Sequence, residues 1–66
     1  MIGKNIRRIR AELNLKQEDI ALDLNVTRET ISNWERDVSS PDILMLRKLK
    51  LILNCSYDEL LEEYQN

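Results

Sequence analysis

The sequence contains no histidine and no phenylalanine, and only one cysteine, one glycine and one proline. A single cysteine excludes an internal disulfide framework and a cysteine-only zinc site, and the absence of histidine removes the mixed zinc sites as well. There is no glycine-rich phosphate loop and no set of convergent metal ligands, which leaves nothing from which to build an enzyme active site. We therefore expect a non-enzymatic protein of a reducing compartment, with no metal and no cofactor.

Long apolar runs are also missing. No stretch approaches the length of a membrane span, and the first residues lack the apolar segment of a signal peptide. A chain of 66 residues buries only about 60% of its unfolded surface, so we expect one domain over residues 1–66 and no deep catalytic cleft. The protein is thus predicted to be cytoplasmic, without a membrane partner and with no evident small-molecule effector.

The chain also lacks a strong excess of basic residues. The net charge is −2, from 10 basic and 12 acidic residues, whereas proteins that bind nucleic acids indiscriminately are usually basic. The charges are unevenly distributed, because residues 1–36 carry seven basic and six acidic groups, and residues 37–66 carry three basic and six acidic groups. We infer a polarised domain in which any DNA-binding face lies in the first half.

The spacing of apolar residues predicts five helices and no strand, so the expected fold class is all-α. The predicted helices span residues 3–13, 17–24, 28–36, 43–53 and 56–64. Ile6, Ile9 and Leu13 recur at helical spacing, which predicts that the first helix turns them toward the core. The fourth helix is apolar on more sides than one buried stripe requires.

Polar residues mark the ends of these helices. Thr27 and Asp42 are predicted N-caps of the third and fourth helices, because their side-chain oxygens can accept from free amides of the first turn. Ser56 and Glu59 form the S-x-x-E pattern of a capping box. Asn25 is predicted to adopt the left-handed conformation that a tight turn between the second and third helices needs.

The most informative segment is residues 17–36, QEDIALDLNVTRETISNWER, which indicates two short helices joined by a tight turn. Its apolar positions are Ile20, Ala21, Leu24, Val26, Ile31 and Trp34. Its outer face consists of Arg28, Glu29, Ser32, Asn33 and Arg36. A polar face of this kind suits a helix laid in a DNA groove, with the small Ala21 where the two helices cross. An ordinary pair of packed helices would show the same apolar spacing, so the spacing alone leaves both interpretations open.

Four segments extend this pattern along the chain: IGKNIRRIRAELNLKQEDIA, VTRETISNWER, SPDILMLRKL and NCSYDELL. With them, the chain resembles the phage-repressor and Cro-type (XRE-like) helix-turn-helix family over nearly its whole length. The resemblance implies a five-helix domain of the lambda-repressor-like type, whose second and third helices form the helix-turn-helix. It also implies a sequence-specific transcriptional regulator, a repressor of bacterial or phage origin, that binds double-stranded DNA and associates with the nucleoid.

The resemblance assigns roles to residues at the start and middle of the third helix. Thr27, Arg28, Glu29, Ser32 and Asn33 match the family positions that face the groove. Arg28 is the candidate for reading guanine, because a guanidinium can donate to both O6 and N7, and the alternative is a solvated surface arginine. Asn33 would read adenine or bond a phosphate. Glu29 would accept from cytosine N4, reject wrong sequences or orient Arg28.

Other residues are predicted to position the protein on the DNA backbone. The candidates for these contacts are Lys16, Gln17, Thr27, Arg36, Ser39 and Ser40. Gln17 matches the glutamine that, in the family, contacts a phosphate and buttresses the recognition helix. The family arginine at the place of Arg10 often pairs with the glutamate near the end of the third helix, here Glu35, so the resemblance assigns Arg10 to structure.

The chain departs from the family pattern at several positions. Asn14, Asn25 and Asp37 stand where the family often has glycine, and the fold survives because Asn and Asp tolerate a left-handed backbone. Lys16 replaces the usual Ser or Thr cap of the second helix, which removes a capping bond of about 1 kcal/mol and adds a cation near a phosphate. Cys55 stands where the family prefers valine, and we expect it to pack as a small hydrophobe without a redox role.

Apolar residues in the C-terminal half exceed what the core can bury. They are Leu44, Leu51, Tyr57, Leu61 and Tyr64. The family commonly dimerises through its fourth and fifth helices, so these residues predict a homodimer on a two-fold DNA site. The alternative is that some of them cap the core or lie singly exposed, which is normal.

A competing function is a protein-interaction adaptor or antitoxin that keeps the fold and binds its partner through the acidic half. The sequence pI of about 5.0 favours this alternative. Salt dependence separates the two functions, because several phosphate contacts make the logarithm of DNA affinity fall steeply with the logarithm of salt concentration. An adaptor should not retain DNA at all.

Overall fold

The computed structural model of the protein describes residues 2–62. Within that range the fold consists of five α-helices: α1 (Ile2–Glu12), α2 (Gln17–Leu24), α3 (Arg28–Glu35), α4 (Ile43–Ile52) and α5 (Tyr57–Leu61). These residues contain no strand, so the all-α prediction is confirmed. α3 packs against both α1 and α2, while α5 packs on α1 and α4 packs on α2. The third helix is therefore supported from behind by the first two.

The predicted N-caps begin the helices as expected. Thr27 Oγ1 accepts from the amide of Thr30 at 3.2 Å at the start of α3, and Asp42 Oδ1 accepts from Met45 at 2.9 Å at the start of α4. Ser56 and Glu59 form the reciprocal capping box of α5, with both bonds at 3.0 Å. These local bonds satisfy amides that have no partner within their own helix.

Four residues other than glycine adopt a positive φ within the described range, and each lies where a helix ends or a turn follows. They are Asn14 (φ 59°), Asn25 (57°), Asp37 (59°) and Asn54 (51°). Asn and Asp adopt this left-handed conformation more readily than other residues with a Cβ atom. The predicted left-handed turn at Asn25 is confirmed. Asn14 and Asp37 also adopt the left-handed backbone that was expected of them at positions where the family often has glycine.

One core lies between the helices. Its buried apolar residues are Ile6, Ile9, Ile20, Ala21, Leu24, Ile31, Trp34, Leu49, Leu53 and Leu60. Leu13 was expected to join them but is 44% exposed, and α1 ends one residue before it, at Glu12. Leu15, two residues later, packs against the core instead.

The last helix is shorter than predicted. It was expected to run toward Tyr64, but it ends at Leu61, where the next residue, Glu62, has an extended backbone. Asn5 of α1 occupies this end, since its Nδ2 donates to the carbonyl oxygens of Leu60 at 2.9 Å and of Glu62 at 2.6 Å. Tyr64 lies outside the described residues. A buried amide from α1 thus takes up carbonyl groups that the end of α5 leaves free.

Asn5 is 1% exposed, and replacing it by leucine is expected to lower the free energy of unfolding by about 1–3 kcal/mol. Leucine is also branched at Cγ but lacks the Nδ2 donor, so the carbonyl groups of Leu60 and Glu62 lose the bonds from this residue. Urea denaturation measures the change. The control is Lys4→Leu, an exposed neighbour in α1, for which a change within about 0.5 kcal/mol is expected. Equal effects of the two substitutions would show that the bonds of Asn5 contribute nothing.

α1 also approaches the end of α3 so closely that only glycine fits. A Cβ atom on Gly3 would lie 2.5 Å from the carbonyl oxygen of Trp34 and 2.6 Å from that of Glu35. The amide of Gly3 donates to Oδ1 of Asp37 at 3.1 Å, just beyond α3. No role was predicted for Gly3, because the contact joins residues 34 positions apart.

Within residues 2–62, no helix has the length and apolar character to span a membrane.

Candidate nucleic-acid interface

α2, the turn at Asn25 and α3 form the helix pair that the sequence predicts. Ala21 of α2 is buried, and so are Ile31 and Trp34 on the inner side of α3. Val26 packs half-buried against the core directly after the turn, where its amide donates to the carbonyl of Ala21 at 3.0 Å. One side of α3 is thus held in the core, and the other side is left for a ligand.

The outer side of α3 brings together the five residues that were predicted to form its polar face. Arg28, Glu29 and Arg36 are exposed, and Ser32 and Asn33 are half-buried between them. Their positions repeat at intervals of three and four residues, which places them on one face of the helix. The face is polar throughout and carries both signs of charge. All five predicted residues therefore share a surface.

A buried polar network holds this surface from behind. Arg10 of α1 donates from Nε to Oε2 of Glu35 at 2.5 Å and from Nη2 to Oε1 at 3.0 Å. The Glu35 side chain is only 3% exposed and that of Arg10 is 15% exposed. Gln17 Nε2, at the start of α2, donates to the same Oε1 at 3.0 Å. The pairing of Arg10 with Glu35 is confirmed, and Gln17 joins it as a brace between α2 and α3.

The guanidinium of Arg10 makes one further bond, which ties the network to the chain between α1 and α2. Its Nη1 donates to the carbonyl oxygen of Leu15 at 2.8 Å. Arg10 therefore links α1, the segment before α2, and the end of α3. A change at this residue acts on the position of α3 without touching its outer face.

A shallow hollow lies beside the network at the N-terminus of α2. It is lined by Arg10, Leu15, Lys16, Gln17, Glu18 and Arg28. The N-terminus of a helix presents unpaired amides and a partial positive charge, which suit a phosphate oxygen. The hollow thus brings Lys16 and Gln17, two of the predicted phosphate contacts, next to Arg28 of α3.

Lys16 leaves α2 without a side-chain cap, as expected, because an ammonium group has no acceptor. Asp19 partly compensates for the missing cap, since its Oδ2 accepts from the amide of Lys16 at 2.8 Å. The exposed side chain of Lys16 remains available to a ligand at the hollow.

A family model described as helix-turn-helix matches residues 6–60 of the chain. The chain belongs to this helix-turn-helix family. The HTH-type transcriptional regulator ImmR of Bacillus subtilis (strain 168) is 37% identical to it over 60 residues, which make up 91% of this chain and 47% of ImmR. The chain thus spans about half the length of that curated relative. Members of the family are DNA-binding transcriptional regulators and are not enzymes.

Solved structures show the same fold. The P22 c2 repressor protein in complex with synthetic operator 9T is 34% identical with a TM-score of 0.86, over 94% of both chains. The N-terminal DNA binding domain of SinR from Bacillus subtilis is 30% identical with a TM-score of 0.84, over 100% of this chain and 97% of that domain. A transcriptional regulator from Listeria innocua is 32% identical with a TM-score of 0.86, over 100% of this chain and 62% of its own. The lambda-repressor-like architecture expected from the sequence is confirmed.

The loop of this helix-turn-helix domain after α3 carries the remaining predicted phosphate contacts. Ser39 and Ser40 are exposed. The amide of Ser39 donates to the carbonyl of Asn33 at 3.4 Å, and that of Val38 donates to the same oxygen at 2.9 Å. These bonds close the end of α3, so the hydroxyl of Ser39, and not its amide, is the group left for a phosphate.

Exposed apolar side chains also occur on α4 and α5. Leu51 is 75% exposed, Leu44 is 52%, Leu61 is 50% and Tyr57 is 39%. The ammonium of Lys50 lies 5.3 Å from the centroid of the Tyr57 ring, a distance suited to a cation–π contact. Four of the five predicted dimer residues are therefore accessible, and the fifth, Tyr64, lies outside the described range.

Cys55 packs half-buried against the core, as predicted for a small hydrophobe. Burial raises the pKa of its thiol, and the nearby carboxylate of Glu59 raises it further, although Lys50 acts in the opposite direction. The neutral thiol is therefore favoured over the reactive thiolate. In the part of the chain that the structure describes, no cluster of acidic or sulfur side chains suits a metal ion.

Proposed function

We propose that this chain is a sequence-specific DNA-binding transcriptional regulator, acting as a repressor, that places α3 in the major groove. The observation that carries the proposal is the polar face of α3, which is exposed toward solvent while Arg10 and Gln17 hold Glu35 behind it. A rigid support of this kind is what a recognition helix needs, because base contacts depend on its depth and angle in the groove. The P22 c2 repressor protein, solved with a synthetic operator, supports the same function.

The proposed base-reading residues are Arg28, Glu29, Ser32 and Asn33. Arg28 is exposed at the N-terminal end of α3 and can donate to O6 and N7 of guanine. Glu29 supplies the acceptor for a cytosine N4 amine, and it repels phosphate if the helix docks out of register. Ser32 and Asn33 lie one turn further along the same face.

The proposed phosphate contacts surround this face. They come from Lys16, Gln17, Thr27, Arg36, Ser39 and Ser40. Gln17 can contact a phosphate while it also braces α3, because its Nε2 carries two hydrogens and only one is used for Glu35. Such contacts fix the orientation of the domain and add affinity that depends on salt but not on sequence.

The regulator is further proposed to act as a homodimer on a two-fold site. Residues 1–66 are proposed to form one domain. Its proposed location is the cytoplasm, at the nucleoid, in a bacterial or phage context. Leu44, Leu51, Tyr57 and Leu61 form the proposed contact, because they leave apolar side chains exposed on neighbouring helices. Half-sites about one helical turn apart would then match the protein symmetry. Sedimentation should detect a dimer at micromolar concentration or on DNA, and a monomer under both conditions would remove this part of the proposal.

Selection of bound sequences from a random DNA pool tests binding, symmetry and half-site spacing together. A regulator should enrich one two-fold motif, and its affinity for that motif should fall by a power of the salt concentration close to the number of phosphates contacted. Equal retention of all sequences contradicts sequence-specific binding. A complete lack of DNA retention at low salt favours an adaptor or antitoxin, which would bind its partner through the acidic C-terminal half.

Replacing Arg28 by alanine is expected to weaken binding to the selected motif by about 1–3 kcal/mol and to relax the preference at one base pair. Lys16→Ala should instead weaken binding to all sequences similarly and reduce the salt slope by about 1. Titration of labelled motif and scrambled DNA measures both effects. Arg7→Ala, which removes an exposed arginine of α1 outside the proposed DNA and dimer contacts, is the control for lost positive charge. An unchanged base preference in Arg28→Ala would leave Arg28 without a reading role.

A further inference from the structure

Arg36, at the C-terminal end of α3, contacts the base-reading face itself. Its Nη2 donates to Oδ1 of Asn33 at 2.8 Å, and its Nε donates to Oγ of Ser32 at 3.3 Å. Both partners are proposed base-reading residues, whereas Arg36 was expected to contact only phosphate. A single guanidinium thus holds two of the side chains that would meet base edges.

This contact determines which end of the Asn33 carboxamide is free. A guanidinium has donors and no acceptor, so the atom of Asn33 that it binds must be the oxygen. With Oδ1 turned toward Arg36, the amide nitrogen is the opposite end of the group, and it donates to no other residue within 2–62. Asn33 therefore turns its donor away from Arg36, where it can meet acceptors such as N7 of adenine or N7 and O6 of guanine.

Ser32 is affected in the same way. Its Oγ accepts from Arg36, so its single hydroxyl hydrogen is not used in that bond. The planar guanidinium can donate to two acceptors at once. Ser32 and Asn33 lie four and three positions before Arg36, so both side chains face it across one turn of the helix. The three side chains form one hydrogen-bonded unit on the exposed face.

We propose that Arg36 is a specificity-determining positioning residue that holds Ser32 and Asn33 in one arrangement before DNA arrives. The inference rests on the proposed DNA-binding function. Side chains that are already ordered lose less conformational freedom on binding, and a fixed carboxamide cannot turn to suit a different base. The guanidinium N–H groups not used for Ser32 and Asn33 remain available to a phosphate, so positioning and backbone contact are compatible.

Replacing Arg36 by lysine separates its positioning role from contact with a phosphate. Arg36→Lys keeps the positive charge for a phosphate but loses the planar fork that binds two acceptors at once. If Arg36 acts as a positioning residue, this variant should lose base discrimination while its affinity for scrambled DNA and its salt slope stay unchanged. Arg7→Lys, the same exchange at an exposed position of α1, is the matched control.

The experiment is selection from a random DNA pool with the wild type, Arg36→Lys, Asn33→Ala, the double variant and Arg7→Lys. Asn33→Ala identifies the base pair that Asn33 reads. Arg36→Lys should reduce the preference at that same pair by about five- to tenfold, which is a large part of what one good base contact supplies. The double variant should lose no more there than Asn33→Ala alone, because coupled residues are not additive. Circular dichroism checks that each variant is folded.

Three results overturn the inference. If Arg36→Lys selects the wild-type motif with wild-type discrimination, Arg36 contacts phosphate only. If the effects of Arg36→Lys and Asn33→Ala are additive at that pair, Arg36 acts there independently of Asn33 and does not position it. If the wild type itself enriches no motif, the proposed function fails, and the inference fails with it. An enriched wild-type motif together with an unchanged Arg36→Lys profile removes the inference alone.

Discussion

Replacing Arg10 by methionine is expected to lower the free energy of unfolding by about 3–5 kcal/mol. The Glu35 side chain is 3% exposed, so losing its cation leaves a nearly buried carboxylate whose remaining described partner is Gln17. The loss is large because the desolvation of the carboxylate is no longer offset by an opposite charge. Domains of this size have little stability to spare, so much of the protein is expected to unfold at 37 °C. Urea denaturation at neutral pH measures the change.

Three further variants isolate the cause. Arg7→Met removes an exposed arginine from the same helix, and a change within about 0.5 kcal/mol is expected. Arg10→Lys keeps the charge but cannot form both bonds to Glu35, so an intermediate loss is expected. Arg10→Met combined with Glu35→Leu removes the orphaned carboxylate and should recover part of the stability. A cost below 1 kcal/mol for Arg10→Met would mean that the pair behaves like an exposed one.

Replacing Gly3 by alanine is expected to destabilise the protein by about 1–3 kcal/mol, a fall in Tm of roughly 4–8 °C for each kcal/mol. The new Cβ would lie 2.5 Å from the Trp34 carbonyl oxygen and 2.6 Å from that of Glu35, and both are backbone atoms that cannot rotate away. α1 must then move off the end of α3. That movement weakens the bond from the Gly3 amide to Asp37 and shifts Arg10 relative to Glu35.

The sign of the stability change on Gly3→Ala tests the close contact directly. Alanine in a helix ordinarily stabilises a protein relative to glycine by roughly 0.5–1 kcal/mol, because glycine loses more backbone freedom on folding. A rise in Tm for Gly3→Ala would therefore contradict the close approach of α1 and α3. Lys4→Ala, at the adjacent exposed position, is the control for changes in helix propensity. Thermal unfolding followed by circular dichroism gives both values.

These two predictions concern the support of α3 and not its outer face. Both Arg10 and Gly3 belong to α1, which packs behind the proposed recognition helix. A folded variant that shifts α1 is therefore expected to bind DNA less well even though every proposed base-reading side chain is intact. We expect the stability of the domain and its DNA recognition to depend on the same contacts between α1 and α3.

The features predicted correctly from the sequence are those that depend on neighbouring residues. Thr27, Asp42 and Ser56 cap helices through side chains that bond amides three residues later. Asn25 adopts its left-handed turn because of its own side chain. Apolar spacing of three and four residues predicted α2 and α3 and the side of each that faces the core. Interactions over one helical turn are visible in a linear sequence.

The pairing of Arg10 with Glu35 was predicted only through the resemblance to the helix-turn-helix family. No local pattern joins two residues 25 positions apart. The position of Leu13 was predicted wrongly from local spacing, because Leu15 and not Leu13 packs against the core after the end of α1. The end of α5 was also predicted wrongly, since Asn5, 55 residues away from Leu60, takes up the carbonyl groups there.

By itself, the sequence determined the all-α class, the helix pair, the caps and the polar face of α3, because each follows from periodicity and from bonds within one turn. Only the tertiary structure decided that Gly3 must lack a side chain and that Asn5 must be buried. It also decided how Gln17 joins the pair of Arg10 and Glu35. The contact of Arg36 with Asn33 spans only one turn, but it depends on how both side chains are turned, which residue spacing does not specify. The tertiary structure was needed for these features because they depend on contacts between residues far apart in the chain or on side-chain orientation. Packing determines both, and neither follows from local residue spacing.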